Sequence, residues 1–275
     1  PALTRWTFDF FRECFPDDEI VANSPMFLES DLGLEPVQAR LRLADYIDYV
    51  QAPARAPRAR YVCGSAEALA RNRVPLYAPA YRVLVEHPDL AGDVAGSSLY
   101  CVDDLFARLP APLRDYLDRH DSPVHYLFFA PRGSAAFLHT DYWSTHAYLA
   151  QLAGRKLCIL FPPSDATALY DGAVRNPLAV DPARFPLFAH SRPHVAILHA
   201  GMTAFIPAGW WHFVLGLDTS LTYSYNFFTR HNMEAYFARL FATLAEAMTQ
   251  GDAAAAAALR AFGDMGQRLA RSLRG

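Results

Sequence analysis

The tripeptide His139-Thr140-Asp141 sets an imidazole and a carboxylate two residues apart. In an extended chain such residues point to the same side, so both can reach one metal ion. His212, in the run PAGWWHFV, stands on a later strand-like segment and offers a third ligand. Two histidines and one carboxylate on one face of iron(II) leave three adjacent positions open. Taken singly, these signals are weak. His-x-Asp tripeptides arise by chance, His212 also reads as a satisfied core histidine at an aromatic strand end, and eight other histidines are scattered along the chain. Lys156 adds an independent oddity as the only lysine among 25 basic residues, placed between Arg155 and the apolar LCILF. A solvated strand-end charge is the ordinary reading of such a residue. In a chain that otherwise uses only arginine, and ahead of an apolar run, a functional reading of this lysine is favoured over the ordinary one.

These residues lie in a zone of short β-branched and aromatic runs, from VHYLFFA near 124 through AYLAQLA, KLCILF, VAILH, TAFIP and WWHFVLGL to SLTYSYNFF. Gly, Pro and Asp clusters separate them, the pattern of an all-β barrel or sandwich. One interval is long: 162–193, rich in Pro, Asp and Ala, has no clear period and reads as a functional lid or binding loop. Upstream, residues 1–123 alternate short helical patterns with Pro-rich breaks. Trp6, Phe10, Phe11 and Phe15 share helical spacing up to Pro16, and Leu41, Ala44, Asp45 and Ile47 suggest a second helix before the linker-like 52–60. Downstream, Met233, Tyr236, Phe237, Leu240, Phe241, Leu244 and Met248 form a stripe of 3.6 period. An Ala-rich helix follows over about 253–272, with Leu259, Phe262 and Leu269 on one face. Two such helices either cover the barrel or form a homodimer interface.

Composition narrows the classes. A hydrophobic fraction of 52% against 19% charged residues describes a folded globule rather than a disordered chain. A net charge of −3 gives no electrostatic case for nucleic acid or an anionic membrane. Cys14, Cys63, Cys101 and Cys158 are dispersed without a CxxC pair, which excludes a zinc ribbon and fits reduced thiols. With no signal pattern and no bilayer-length apolar run, the expectation is a soluble cytoplasmic protein.

The order LHTDYWSTHAYLAQLAGRKLCILFPP, GMTAFIPAGWWH and SLTYSYNFF resembles the Jumonji-C (JmjC) branch of the iron(II)/2-oxoglutarate oxygenases. The resemblance covers about 124–228 and extends more loosely upstream through VPLYAPAYRVLVEHPDL and VDDLF. It implies an α+β chain with a mainly β core: a double-stranded β-helix of jelly-roll or cupin type over 124–230, a helical or mixed N-terminal region over 1–123, and C-terminal helices over 231–275. It also implies His139, Asp141 and His212 as iron ligands, and Lys156 as the cation for the distal carboxylate of 2-oxoglutarate. Tyr77, Asn226 and Ser224 are implied as further contacts near that co-substrate. Dioxygen would be the second co-substrate and succinate a product. The pattern departs from its relatives at two places: Ala136 stands where many carry Thr or Ser, and HAYLAQLA offers His146, Tyr148 and Gln151 where many carry an Asn. Trp210 and Trp211 both read as packing residues, with Trp210 the nearer to the mouth. The activity implied is hydroxylation of an amino-acid side chain in a protein or peptide, with 162–193 and the N-terminal zone forming the substrate groove. A tailoring hydroxylase acting on a small molecule or peptide natural product, and a non-catalytic cupin-like binding protein, are the alternatives.

Overall fold

A computed structural model describes residues 2–24, 34–52, 57–95, 104–119 and 125–272. Cys101, residues 53–56 of the 52–60 linker, the start of VDDLF, the boundary at 123–124 and the side chain of Leu269 lie outside the described residues.

The strand-like runs form two antiparallel sheets. Strands β5 (His125–Ala130), β7 (His146–Ala153), β10 (Thr203–Ile206) and β12 (Ser220–Phe227) join β4 (Ala78–Tyr81) in the order β10-β7-β12-β5-β4. Strands β6 (Ala135–His139), β8 (Lys156–Phe161), β9 (His194–Leu198) and β11 (Trp211–Gly216) form a second sheet in the order β6-β11-β8-β9. Because β4 comes from the first zone, that zone and the barrel share a sheet. Alternation assigns the faces. Ala147, Leu149, Cys158, Leu198 and Ile206, drawn from both sheets, bury one another between them. That double-layered jelly roll is the architecture the sequence implies.

The outer faces are covered differently. Leu127, Phe129, Tyr148, Leu221, Tyr223 and Phe227 of the five-stranded sheet pack into the largest core, together with Trp6, Phe11 and Tyr46. The first zone carries more β structure than its Pro-rich text suggests: β1 (Glu19–Ser24), β2 (Val37–Arg42) and β3 (Arg60–Cys63) make a separate three-stranded sheet. Leu41 belongs to β2, and the helix expected around it begins at Leu43 and runs to Gln51. Helices of this zone are α1 (Ala2–Arg5), α2 (Phe8–Cys14), α3 (Leu43–Gln51), α4 (Ala66–Asn72), α5 (Val83–Glu86), α6 (Ala91–Val94) and α7 (Ala111–Arg119).

At the other end, α8 (Met233–Thr249) buries Tyr236, Leu240 and Leu244 in the same large core. Phe262 of α9 (Ala253–Ser272) packs between Phe237 and Phe241, with ring centroids 4.7 and 4.8 Å away. Much of the apolar stripe is therefore used within the chain. Among the described residues, no helix is long and apolar enough to cross a membrane.

The interval 162–193 is built of 3-10 turns rather than left as an open lid. Leu169 and Val174 are buried against Phe137, Ile159, Phe161 and Phe213, on the outer face of the four-stranded sheet. Its two ends are tied by Asp165, 4% exposed, which accepts hydrogen bonds from the Arg192 amide at 2.6 Å and the Arg192 guanidinium at 3.2 Å.

Candidate active site

Register brings the two histidines together. His212, near the start of β11, sits directly opposite His139, the last residue of β6, and their ring centroids are 4.1 Å apart. Each ring is oriented by its own backbone: His139 Nδ1–H donates to the Phe137 carbonyl at 2.6 Å, and His212 Nδ1–H to the Trp210 carbonyl at 3.2 Å. Both Nε2 atoms thereby remain available as lone-pair donors. Asp141 lies just beyond the end of β6 in extended backbone, so the strand reading of the tripeptide holds in direction although β6 stops at His139. Its Oδ1 is 3.7 Å from His212 Nε2, and one ligand atom from each of the three residues falls within 4.8 Å of the others. Burial pushes the His139 imidazole down to about 4, with neighbouring His212 acting in the same direction, so the ring is neutral near pH 7. Asp141 Oδ2 is buried without a hydrogen-bond partner, a costly condition that a cation relieves. The donor set fits a hard-to-borderline divalent metal.

Lys156 lies deeper. On β8 and β11, His212 pairs with Leu160, Val214 with Cys158 and Gly216 with Lys156. Four strand residues separate the metal level from the lysine, about 13 Å of backbone at ~3.3 Å per residue. Gly154 makes the preceding turn: at φ +70 it passes so close to the Thr219 carbonyl that a Cβ would meet it at 2.2 Å. The chain then sends Arg155 outward, where its guanidinium grips Asp218 at 2.6 and 3.1 Å, and Lys156 inward. Lys156 is 3% exposed, and its Nζ lies 5.4 Å from the centre of the Phe128 ring. Among the described residues no carboxylate pairs with it, and burial pushes its ammonium down to about 8. Burying a cation away from any counter-ion is costly, and an anion brought to it would relieve that cost.

The remaining expected residues separate by position. Ser224, 3% exposed, pairs with Leu149 and Tyr126 on the interior face of β12. Asn226, two residues on, donates from Nδ2 to Thr145 Oγ1 at 3.1 Å, beside the turn that follows Asp141. Tyr77 precedes β4 and exchanges backbone hydrogen bonds of 2.9 Å with Asn23. Its neighbour Ala78 pairs with outward-facing Phe129, so alternation turns Tyr77 inward, where burial raises its hydroxyl. The three residues offered in place of the usual Asn differ from one another. Tyr148 faces the outer core; Gln151 closes the barrel floor by accepting from Thr222 Oγ1 at 2.8 Å; His146 Nδ1 accepts from the Ala208 amide at 2.9 Å. Trp210 joins the interior cluster, whereas Trp211 packs on the outer one.

Phe128, Thr222 and Thr145 line this interior without having been singled out. Period-2 alternation in VHYLFFA would have turned Phe128 inward, but nothing local marks Thr145. Beside His139 and Thr140, a cavity of about 460 Å³ opens between Trp211 and residues 170–173, lined also by Leu138 and Arg175. The interval 162–193 thus reaches the site's rim with one short segment and spends the rest on the outer face.

Two facing antiparallel sheets, with a two-histidine, one-carboxylate cluster at one end, define a cupin-type barrel. The chain belongs to the cupin-like domain family, whose family model matches residues 23–233. It is 27% identical over 245 residues to an arginine-specific demethylase of Arabidopsis thaliana, covering 85% of this chain and 40% of that protein. It is 31% identical over 108 residues to a 2-oxoglutarate and iron-dependent oxygenase of Gallus gallus, covering 37% and 25% respectively. A JmjC domain-containing protein of Dictyostelium discoideum is 34% identical over 107 residues, covering 34% of this chain and 23% of that protein. The chain therefore spans well under half the length of these relatives.

Proposed function

We propose that this protein is an iron(II)- and 2-oxoglutarate-dependent oxygenase that hydroxylates an amino-acid side chain in a protein or peptide. One arrangement carries the reading: a convergent His139–Asp141–His212 cluster at one end of the barrel and a buried ammonium, Lys156, with no carboxylate partner among the described residues, about 13 Å of strand deeper on the same interior face. An α-keto acid with a distal carboxylate matches both features, its keto-acid end at the metal and its far end on the lysine. Bound iron with 2-oxoglutarate and dioxygen supplies the oxidising power for inserting oxygen into a C–H bond. His139, Asp141 and His212 hold the metal and leave adjacent positions open. Lys156 neutralises the distal carboxylate, with Ser224, Asn226 and Tyr77 along the interior that leads to it. The floor formed by Gln151 and Thr222, both fully buried, keeps water from the far end. The cavity beside His139 and Thr140 is where a substrate side chain would enter.

An anaerobic titration with iron(II) and 2-oxoglutarate tests this reading. A weak visible charge-transfer band is expected in the wild type, and Lys156→Ala should weaken it. If the wild type binds neither iron nor 2-oxoglutarate, the oxygenase reading fails. A mass gain of one oxygen atom on candidate peptides then separates hydroxylation from loss of an N-methyl group, the reaction named for the plant relative.

A further inference from the structure

We propose that the C-terminal helix α8 is a positioning brace for Asp141, acting through the turn 142–145; this rests on the metal-site reading above. The three ligands are not held alike. His139 and His212 are fixed by sheet register and by their own carbonyl hydrogen bonds. Asp141 lies past the end of β6, and its Oδ2 makes no hydrogen bond, so little in direct contact with the carboxylate orients it. Its aim is set by the main chain that follows.

That main chain is unusual. Trp143 (φ 51) and Ser144 (φ 55) are successive non-glycine residues in the left-handed region, which L-residues avoid. Such a turn persists only when its surroundings over-determine it. Here the restraints come from far along the chain. Trp143 Nε1–H donates to Thr243 Oγ1 on α8 at 3.1 Å, and the Trp143 ring stands edge-on to Tyr236 at 6.4 Å. Asn232, immediately before α8, donates from Nδ2 to the Ser144 carbonyl at 2.7 Å. Its Oδ1 accepts from the Thr229 amide at 2.8 Å, which ties the turn to the exit of β12. Asn226 reaches Thr145 Oγ1, and Thr145 donates its amide and hydroxyl back to the Tyr142 carbonyl at 3.2 and 3.1 Å.

The helix can serve as a rigid anchor because Tyr236, Leu240 and Leu244 are 0% exposed in the main core. Every residue of the turn from 143 to 145 therefore has a partner on β12, on α8 or at the junction between them. A helix that only covered the barrel would need none of these polar ties.

The test uses manganese(II) alone, titrated into the full chain without co-substrate. Asn232→Asp keeps an acceptor for Thr229 but sets a carboxylate oxygen against the Ser144 carbonyl. Thr243→Val removes the acceptor for Trp143 at a half-buried helix position and preserves shape. Manganese(II) affinity should fall about tenfold or more in Asn232→Asp and several-fold in Thr243→Val. The apo Tm of Thr243→Val should stay within a few degrees of wild type. Met248→Ala, at the far end of the same helix and 40% exposed, should bind as wild type does. Wild-type affinity in a folded Thr243→Val overturns the brace while leaving the metal site standing. A wild type that binds no manganese(II) overturns the metal-site reading and this proposal with it. An equal loss in Met248→Ala also overturns the brace, because the effect would then be general to the helix.

Discussion

Lys156→Met replaces a buried ammonium, which has no carboxylate partner among the described residues, with an apolar side chain of similar length, and the structure sets the expected size of the effect. Burial lowers the lysine from its ordinary 10.5 to about 8. The unfolded chain therefore holds that proton more tightly than the folded one, and the charged lysine opposes folding. At about 1.4 kcal/mol per tenfold, the drop corresponds to about 3 kcal/mol of lost stability wherever both states are protonated, below about pH 8. The penalty shrinks as pH rises from about 8 and is gone above 10.5. Without co-substrate, Lys156→Met should thus be more stable than wild type by up to about 3 kcal/mol in urea denaturation at pH 7. The difference should narrow by about 1.3 kcal/mol on moving to pH 9. That window stays below the ionisation of buried Cys158, whose thiol burial pushes up to about 11. Saturating 2-oxoglutarate with a divalent metal should narrow or reverse the order, because wild type gains from both the metal and the lysine–carboxylate pairing whereas the variant keeps only the metal ligands. A variant that is less stable than wild type at pH 7, or a difference insensitive to pH, would refute the claim that the ammonium is buried without a counter-ion.

Two further outcomes follow from the rim. Gly172→Ala should destabilise the protein by about 2–4 kcal/mol, combining a left-handed backbone with overpacking. Gly172 has φ +89, and a Cβ would meet the Trp211 ring at 2.7 Å; chemical denaturation measures the loss. Tyr142 follows Asp141 directly and is 82% exposed, an aromatic surface at the edge of the site. Under the proposed activity, Tyr142→Ala should raise KM for the peptide substrate several-fold while leaving manganese(II) affinity and Tm unchanged, read by steady-state kinetics and by titration.

Local text carried much of this chain. Short β-branched and aromatic runs between Gly, Pro and Asp clusters marked seven of the eight strands from β5 to β12, because strand propensity and turn chemistry are local; β6, which carries His139, matched none of the runs. Alternation along an extended chain put His139 and Asp141 on one side, and the lone lysine stood out by composition. The apolar stripe marked α8, since 3.6-residue spacing is equally local. The three-stranded sheet of the first zone was harder to see: β1 is six residues long and β3 four, too short for a clear period.

Tertiary structure decided what periodicity cannot encode. Whether His212 faces His139, rather than a residue one step along, depends on the pairing of β11 with β6, 73 residues apart (212 − 139). A slip of one residue would turn either ring out of the barrel. The partner of Trp143 lies 100 residues downstream and that of Ser144 lies 88 downstream, so no local window could show that the turn after Asp141 is held by α8. Likewise the interval 162–193 looked free in sequence because its order comes from burial of Leu169 and Val174 on a distant sheet face. Residue types named the chemistry available to the chain; long-range register and packing determined which of those residues meet, and at what depth the lysine lies.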